Sequence, residues 1–469
     1  MRKLTVFLLV CALCFLTVFC AGSAEDANGN LVSGNYQYMI QDDGTAVITG
    51  YEGKTPETLT IPDSLDGIQV TAIGSGAFQW QKTLMKVAIP EGVVSLGDHA
   101  FLYCDNLSSV TLPDSLKDIG RNPFAACPVL SVANIVLSAD HPYLKVEDGV
   151  LYSLADNRLV CYSLTLPNGP FNVPDGIEII GASAFYTCEN ITGLVLPETV
   201  ASIGQKAFFM CTGLKSINLP ESISYVGAEA FHGCSGLTSL VFPNTITAIG
   251  DRAFKDCSNL KEVVLPQGAT SIGDEAFFNC TSLVSLELPE GITTIGKSTF
   301  NNCKKLVSII LPDGVTYIGG CAFYDCSALE SIEIPMTLNY IGSDAFSGCY
   351  SLKEIDLPNT CFYIGPQAFA RCTSLTSFRL PMVMNMINDR VFMGCTGITE
   401  LTITPRISSI GNMAFAAMTG LTEITIPETV QTVGEQAFAY CTNLTTVTVN
   451  EEVTGVDPTA FDMCPKLVR

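Results

Sequence analysis

Fourteen of the twenty cysteines recur at one fixed place in a repeating pattern. Cysteine side chains can form disulfides, bind zinc or act as nucleophiles and redox groups. Each of these fourteen lies three residues after a phenylalanine, and together we call them the cysteine column: Cys104, Cys127, Cys188, Cys211, Cys234, Cys257, Cys280, Cys303, Cys326, Cys349, Cys372, Cys395, Cys441 and Cys464. Disulfides, metal binding, catalysis and simple packing are the possible roles of this column.

The spacing of the cysteine column favours packing. Equivalent residues of stacked repeats lie about 4.7–4.9 Å apart with parallel side chains, whereas the β-carbons of a disulfide lie about 3.8 Å apart and point toward one another. Zinc requires four ligands that converge on one point, whereas the cysteines of stacked repeats lie in a row. Two further copies of the pattern have Gln81 and Met418 in the cysteine slot. Buried free thiols are therefore predicted, with some disulfides or metal and redox use as alternatives.

Three cysteines lie outside both the column and the amino-terminal apolar segment. Cys361 occupies an apolar slot and is predicted to lie in the core. Cys161 lies in a segment that departs from the repeat, so its environment is not predicted. Cys321 occupies a slot that other copies fill with polar residues such as Glu275, which makes it the best candidate for an exposed, reactive thiol. An inert surface cysteine is the alternative.

The pattern that carries the cysteines repeats every 23 residues. Sixteen phenylalanines mark it, three from Phe78 to Phe124 and thirteen from Phe185 to Phe461, where the register never changes. In the copy that begins at Phe277, alternating apolar and polar residues at 283–288 predict a short strand. Pro289 should end that strand, because proline lacks the backbone N–H that a central strand needs. Gly296 is expected to permit the unusual backbone angles of a tight corner.

The repeat predicts a solenoid. A single unit of 23 residues cannot bury its own apolar side, but stacked units bury one another. The segment around each phenylalanine is expected to form one helical or 3-10 turn on the outer side. The predicted fold is therefore a right-handed array of about sixteen 23-residue units with short parallel β-strands and short helical or 3-10 turns.

The repeat resembles that of a known family. The pattern AF-x-x-C-x-x-L-x-x-[VIL]-x-[LI]-P-x-x-[VI]-x-x-I-G is similar to that of the BspA-like leucine-rich-repeat family of surface and secreted proteins. The stretches YQYMIQDDGTAVITGYEG and LTIPDSLDGIQVTAIGSGAF also resemble the opening segment of that family. The resemblance implies a leucine-rich-repeat scaffold and an adhesin-like role, although membership in a family fixes a scaffold rather than a ligand.

The first 24 residues have the pattern of a secretory signal. Arg2 and Lys3 precede an apolar run that ends at Phe19, and small residues follow from Ala21 to Ala24. The run is too short to be convincing as a retained membrane span. A secreted or cell-surface protein is therefore expected, without membrane insertion once the signal has been cleaved.

One interruption divides the repeats. Phe124 and Phe185 are 61 residues apart, and turn signals such as Asp148-Gly149 between them indicate a hairpin-like excursion. A catalytic loop is the alternative, although His141, Asp148 and Cys161 are its only chemical groups. The expected organisation is a signal peptide at 1–24, an amino-terminal cap at 25–60, a first repeat block at 61–134, an insertion at 135–172 and a second repeat block at 173–469.

Composition argues against several functions. The chain has 24 basic and 46 acidic residues and a formal net charge of −22, which disfavours nucleic acid and anionic membranes as partners. The three histidines, His99, His141 and His232, are far apart and lack zinc-type spacing. No phosphate-binding glycine loop or nucleophile elbow is present. We therefore predict no enzymatic activity, no catalytic residues, no metal site and no cofactor.

The remaining hypothesis is recognition by an exposed strand face. Residues eight and ten positions after each phenylalanine should point away from the core, toward the side expected to be concave. Among them are mixed apolar and charged candidates for ligand binding: Val241, Val264, Glu287, Ile310, Glu333, Glu354, Asp356 and Arg379. Such a mixture suits a protein-binding patch, although polar and β-branched residues also simply suit exposed strands.

The predicted function is noncovalent binding of extracellular or cell-surface proteins, as in adhesion to host or neighbouring-cell proteins. Its alternative is a structural envelope or surface-layer protein that self-associates without a specific ligand. A helper of a hydrolase that uses the insertion is a third, more distant possibility. The oligomeric state is not predicted.

Overall fold

The computed structural model describes residues 24–25, 29–450, 453 and 455–467. The predicted signal peptide lies outside the described residues except for Ala24. The chain forms two compact units: one comprises the described residues up to 127 together with 135–141, and the other comprises 128–134 and the described residues from 142 onward. No helix in the described ranges is long and apolar enough to cross a membrane.

Each 23-residue repeat, which we call a rung, contributes up to two short strands. The first, the front strand, pairs in parallel with the front strand of the next rung, as Ser239–Val241 does with Glu262–Val264. The second, the rear strand, follows the proline turn and pairs in the same way, as Ala248–Ile249 does with Ser271–Ile272. Partner residues are 23 positions apart, so equivalent side chains of successive rungs lie side by side. The predicted solenoid of stacked parallel strands is confirmed.

The first unit opens on antiparallel strands. Ala24–Glu25, Leu31–Ser33, Tyr36–Ile40 and Ala46–Tyr51 pair in that order. The last of them then pairs in parallel with the first rear strand. The rear strands are Ile68–Ile73, Ser95–Leu96 and Asp118–Ile119, with Ser64–Leu65 antiparallel to the first of them, and the front strands are Thr58–Thr60, Lys86–Ala88, Ser109–Thr111 and Ile135–Val136.

The second unit begins in the same way. After a 3-10 turn at Val132–Asn134, the strands Leu144–Glu147, Val150–Ser153 and Arg158–Tyr162 form an antiparallel meander within the segment expected to be an insertion. Arg158–Tyr162 then pairs in parallel with Ile179–Ile180, the first rear strand. Each unit thus enters its parallel array through antiparallel strands that cover the first rung.

Two sets of strands continue the second unit. The front strands are Gly169–Asn172, Ile191–Val195, Ser216–Ile217, Ser239–Val241, Glu262–Val264, Ser308–Ile310, Ser331–Glu333, Ser377–Arg379, Glu400–Thr402, Glu423–Ile426 and Thr446–Val449. The rear strands after Ile179–Ile180 are Ser202–Ile203, Tyr225–Val226, Ala248–Ile249, Ser271–Ile272, Thr294–Ile295, Tyr317–Ile318, Tyr340–Ile341, Tyr363–Ile364, Met386–Ile387, Ser409–Ile410, Thr432–Val433 and Gly455–Val456.

A stack of phenylalanine rings runs through the core of the second unit. From Phe185 to Phe461, neighbouring ring centroids are 5.0–5.8 Å apart and the rings are nearly parallel. Tyr162 covers the first ring at 5.0 Å. In the first unit Tyr51 covers Phe78 at 5.8 Å. Each ring therefore completes the burial of its neighbours.

The outer segments are tight turns, so the expectation of helical or 3-10 turns there was wrong. Glu275 and Asn279 on either side of Phe277 have φ values of 57° and 59°, and left-handed residues cannot continue a right-handed helix. The N–H groups of Phe277 and Asn279 donate to Thr299 O and Asn301 O of the next rung at 2.9 and 2.8 Å. Hydrogen bonds between rungs therefore shape the turn together with short-range bonds along the chain, such as the one from the N–H of Phe278 to Glu275 O at 3.1 Å.

The corner glycine is needed for space rather than for its backbone angles, which corrects the expectation for Gly296. Neither Gly296 nor its equivalent Gly319 has a positive φ. A Cβ atom added to Gly319 would lie 2.7 Å from the carbonyl carbon of Gly296. Glycine therefore lets the backbones of neighbouring rungs approach at this corner.

The phenylalanine stack gives the first prediction. Phe277→Ala should lower the free energy of unfolding by about 3–5 kcal/mol, because it leaves a cavity between two stacked rings. The matched control is Phe278→Ala, since the neighbouring Phe278 is only half-buried and packs beneath Lys255 on the outer side. Urea unfolding followed by circular dichroism measures both. Equal losses for the two variants would contradict this account of the core.

Candidate functional site

The front strands present two columns of outward side chains. In Ser331–Glu333 the central Ile332 is buried while Ser331 and Glu333 are exposed. The same alternation recurs in neighbouring rungs and defines a front face. All eight predicted site residues are exposed on it: Val241, Val264, Glu287, Ile310, Glu333, Glu354, Asp356 and Arg379. Their role in binding stays a prediction.

The eight residues fall into smaller groups. Val241 lies opposite Val264 in paired strands, and Ile310 lies opposite Glu333. Glu287 lies on a segment, 283–289, that keeps the alternating exposure but is not paired as a strand. The segment 352–358, which carries Glu354 and Asp356, is unpaired in the same way. The front face therefore combines short paired ribbons with two unpaired rungs.

Four carboxylates of the front face have no basic partner among the described residues. In the part of the chain that the structure describes, no basic side-chain nitrogen lies within 4.0 Å of the carboxylates of Glu287, Glu333, Glu354 or Asp356. Lys353, next in sequence to one of them, binds Glu330 at 2.6 Å instead. These carboxylates are therefore available to basic groups of a partner.

The outer turns have the opposite character. Glu275 accepts hydrogen bonds from Arg252 at 3.0 Å and from Lys255 at 2.6 Å. The hydrogen bond from Arg252, helped by Lys255, lowers the pKa of Glu275 to about 2. The charge of Glu275 is thus satisfied within the protein, unlike those of the four front-face carboxylates.

Sequence reasoning missed a groove toward the carboxyl-terminal end of the front face. The front strands Glu400–Thr402 and Glu423–Ile426 are not paired with each other, and a groove of about 380 Å³ lies beside them. Two carboxylates and four threonines supply its polar lining: Glu400, Glu423, Thr402, Thr425, Thr446 and Thr448. The sequence signal for this groove is the recurrence of threonine and glutamate at the two outward-facing positions of these front strands.

The cysteine column packs inside the core, as predicted. Thirteen of its fourteen residues are buried free thiols, and Cys464 is half-buried. The thiol of Cys280 donates to Phe254 O of the preceding rung at 3.1 Å, and twelve other column cysteines make the equivalent bond. Burial raises the pKa of Cys326 to about 12, so the thiolate is disfavoured. The column therefore satisfies backbone carbonyls of the outer turns.

None of the three other cysteines is fully exposed. Cys361 is buried, as predicted, and so is Cys161. Cys321 is half-buried, and burial raises its pKa above the usual value. Cys321 is thus only partly exposed, and whether it is reactive or inert stays a prediction.

The histidines lie in separate surroundings. His141 is buried and its Nε2 donates to Pro113 O at 2.9 Å. His232 packs on Phe209 and lies 3.3 Å from Asp256. Among the described residues, no group of three or more His, Cys, Asp or Glu side chains is arranged to hold a metal ion.

A comparison with models of protein families shows which family the chain belongs to. The model described as a BspA type leucine-rich-repeat region, in six copies, matches residues 55–143 and overlapping stretches at 178–307, 247–373, 293–420 and 339–468. The chain belongs to this family. The resemblance inferred from the repeat pattern is thus confirmed. Proteins of the BspA type are in general binding proteins rather than enzymes, and they are commonly found at the surface or secreted.

Among solved structures, one from Bacteroides agrees with the fold of this BspA-type protein. A leucine-rich repeat protein from Bacteroides ovatus ATCC 8483 is 28% identical over 85% of this chain and 94% of that one, with a TM-score of 0.52. A leucine-rich cell surface protein from Faecalibacterium prausnitzii A2-165 is 22% identical over 91% and 96%, with a TM-score of 0.37. A comparison with curated proteins gave no match.

The state of the thiols gives the second prediction. In the native BspA-type chain, a thiol reagent should react readily only with Cys321 and Cys464, since the other described cysteines are buried. After unfolding without reductant, nearly all of the seventeen free thiols should react. Cys321→Ser should reduce the native signal, whereas Cys280→Ala should leave it unchanged. Detection of only a few thiols after unfolding would instead show disulfides.

Proposed function

We propose that the chain is a secreted or cell-surface protein that binds other proteins noncovalently through its front face. Its role would be adhesion to host or neighbouring-cell proteins. Membership in the BspA-type family supports a binding role. Secretion is supported by the signal-like sequence of residues 1–24, which lies outside the described residues apart from Ala24.

The observation that carries the proposal is a set of carboxylates without a basic partner among the described residues, beside exposed apolar side chains. Val241 and Ile310 leave 62% and 63% of their surface exposed, although burial would favour both. Carboxylates at Glu333 and Asp356 lie in the same outward column. The apolar groups of a partner would bury Val241 and Ile310, and its basic groups would pair with Glu333 and Asp356.

The size of the face agrees with a protein partner. The front face from Val241 to Arg379 spans seven rungs and therefore six spacings between rungs. At one strand spacing each, its length is about 29 Å. A standard interface of about 800 Å² per partner corresponds to a patch roughly 28 Å across. The front face of these rungs therefore offers enough length for such an interface.

Charge reversal tests the proposal. Extracellular proteins captured by the purified chain should bind at least about tenfold more weakly to Glu333→Lys/Asp356→Lys, because attraction to basic groups becomes repulsion. Glu198→Lys/Glu221→Lys is the matched control, since it makes the same charge change at two exposed turn residues of other rungs. Binding constants are measured by surface plasmon resonance.

Two outcomes would contradict the proposal. If both double variants bind captured partners as tightly as the parent chain, the front face is not the site. If the chain captures nothing but forms polymers that grow with concentration in sedimentation experiments, it is a self-associating envelope protein instead.

A further inference from the structure

The rear sheet of the second unit carries a row of stacked tyrosines. Tyr317, Tyr340 and Tyr363 lie opposite one another in paired rear strands. Their ring centroids are 4.8 and 4.7 Å apart, and the rings are within 13° of parallel. Met386 occupies the same position in the following rung. Because each ring covers the face of the next, the ring edges and hydroxyl groups are what a partner would meet.

The turn before these strands is equally unusual. The residue after the turn proline is acidic in several rungs, as in Glu221, Glu290 and Asp313, but two rungs here have Met336 and Met382. Met336 is 75% exposed. Phe362, from the rung between them, is 56% exposed. We call this surface the tyrosine–methionine strip and define it by Met336, Tyr340, Phe362, Tyr363, Met382 and Met386.

The strip lacks charge. The segments 336–340, 359–363 and 382–386 contain no acidic or basic residue, in a chain with a net charge of −22. Its threonines are turned onto the backbone: Thr337 Oγ1 donates to Val315 O and Thr360 Oγ1 donates to Leu338 O, each at 2.8 Å. What the strip offers to a partner is therefore mainly apolar side chains and the edges of the tyrosine rings.

The size of the strip selects a small occupant. Three rungs and five residues of each give a patch of roughly 200 Å², from a strand spacing of about 4.8 Å and a rise of about 3.3 Å per residue. A stable dimer buries about 800 Å² per partner. The strip alone is therefore too small for a second copy of the chain and suits a short segment.

Charge nearby defines the chemistry of that segment. Glu333 is three residues from Met336, and Asp356 is three residues from Asn359, the equivalent turn residue of the next rung, with Glu354 two residues before Asp356. These carboxylates lie on the front face of the same rungs that carry the strip on the other side of the proline turn. A segment that crosses this turn would bury apolar side chains on the strip and bring basic side chains to the carboxylates.

We propose that the tyrosine–methionine strip docks a short segment of a partner protein that combines apolar and basic residues. The proposal goes beyond the front-face function by adding a second surface, and it rests on that function only for the carboxylates. The strip supplies most of the contact area, and the front carboxylates select positive charge.

Synthetic peptides test this directly. A fluorescent peptide of about eight residues, which spans about 26 Å when extended, alternates leucine or phenylalanine with lysine. One matched peptide replaces each lysine by glutamate, and another replaces each apolar residue by serine. Fluorescence polarisation with the purified full chain should show binding of the first peptide and at least about tenfold weaker binding of both others.

Variants locate the site. Met336→Asn/Phe362→Thr and Tyr340→Thr install uncharged residues that other rungs of this chain have at the same positions, such as Asn244, Thr316 and Thr294. Each variant should bind the first peptide at least about tenfold more weakly. Tyr225→Thr is the control, because Tyr225 is an exposed rear-strand tyrosine outside the strip. Unchanged circular dichroism verifies folding.

Several outcomes would overturn the proposal. Equal binding of the lysine and glutamate peptides refutes the charge selection, and equal binding to the parent and strip variants refutes the site. A dimer that the strip variants lose in sedimentation shows that the occupant is a second copy. If Glu333→Lys/Asp356→Lys weakens the binding of a captured protein but the strip variants do not, the front face is the site. The strip is then excluded as a docking surface.

Discussion

The register between rungs is the constraint on which the rest of the structure depends. Each rung must lie one strand spacing from the next, and the phenylalanine stack, the thiol-to-carbonyl bonds and the corner glycines all operate at that one distance. Gly319 has no room for a Cβ atom against the preceding rung, and Cys280 reaches the carbonyl of Phe254 only because that rung is adjacent. Core positions are therefore restricted to few residue types, while outward columns are free to vary and to acquire function.

This constraint explains how much of the fold could be predicted. The 23-residue period of Phe, Leu and Pro predicted the solenoid, because burial of an apolar stripe depends on residue type and spacing. The outer turns were not predictable in the same way. Glu275 and Asn279 adopt positive φ values without being glycine, and hydrogen bonds to the next rung contribute to the conformation of these turns. No local preference signals such a bond.

The sequence predicted which front-strand side chains point outward, but not which neighbouring front strands pair. Alternation placed Val241, Glu333 and Arg379 outward, because successive residues of a strand point to opposite faces. Whether neighbouring front strands pair depends on backbone positions, and the unpaired rungs at Glu287 and Asp356 have the same alternation as paired ones. The groove beside Glu400 was missed for the same reason, because it lies where two neighbouring front strands are not paired. The row of tyrosines was missed because rear strands of two residues are too short to show a period.

Departures from the repeat coincide in a few adjacent rungs. There the front strand is unpaired at 352–358, methionine replaces the acidic turn residue, and tyrosines stack on the rear sheet. Asn388 replaces the corner glycine, and its side-chain Nδ2 donates to Ile364 O at 2.7 Å in place of the backbone. Core positions such as Ile355 and Ile364 remain apolar and buried, so packing does not demand these changes. Independent outward columns that depart together in the same rungs favour a shared requirement at the surface, which is what a binding site imposes.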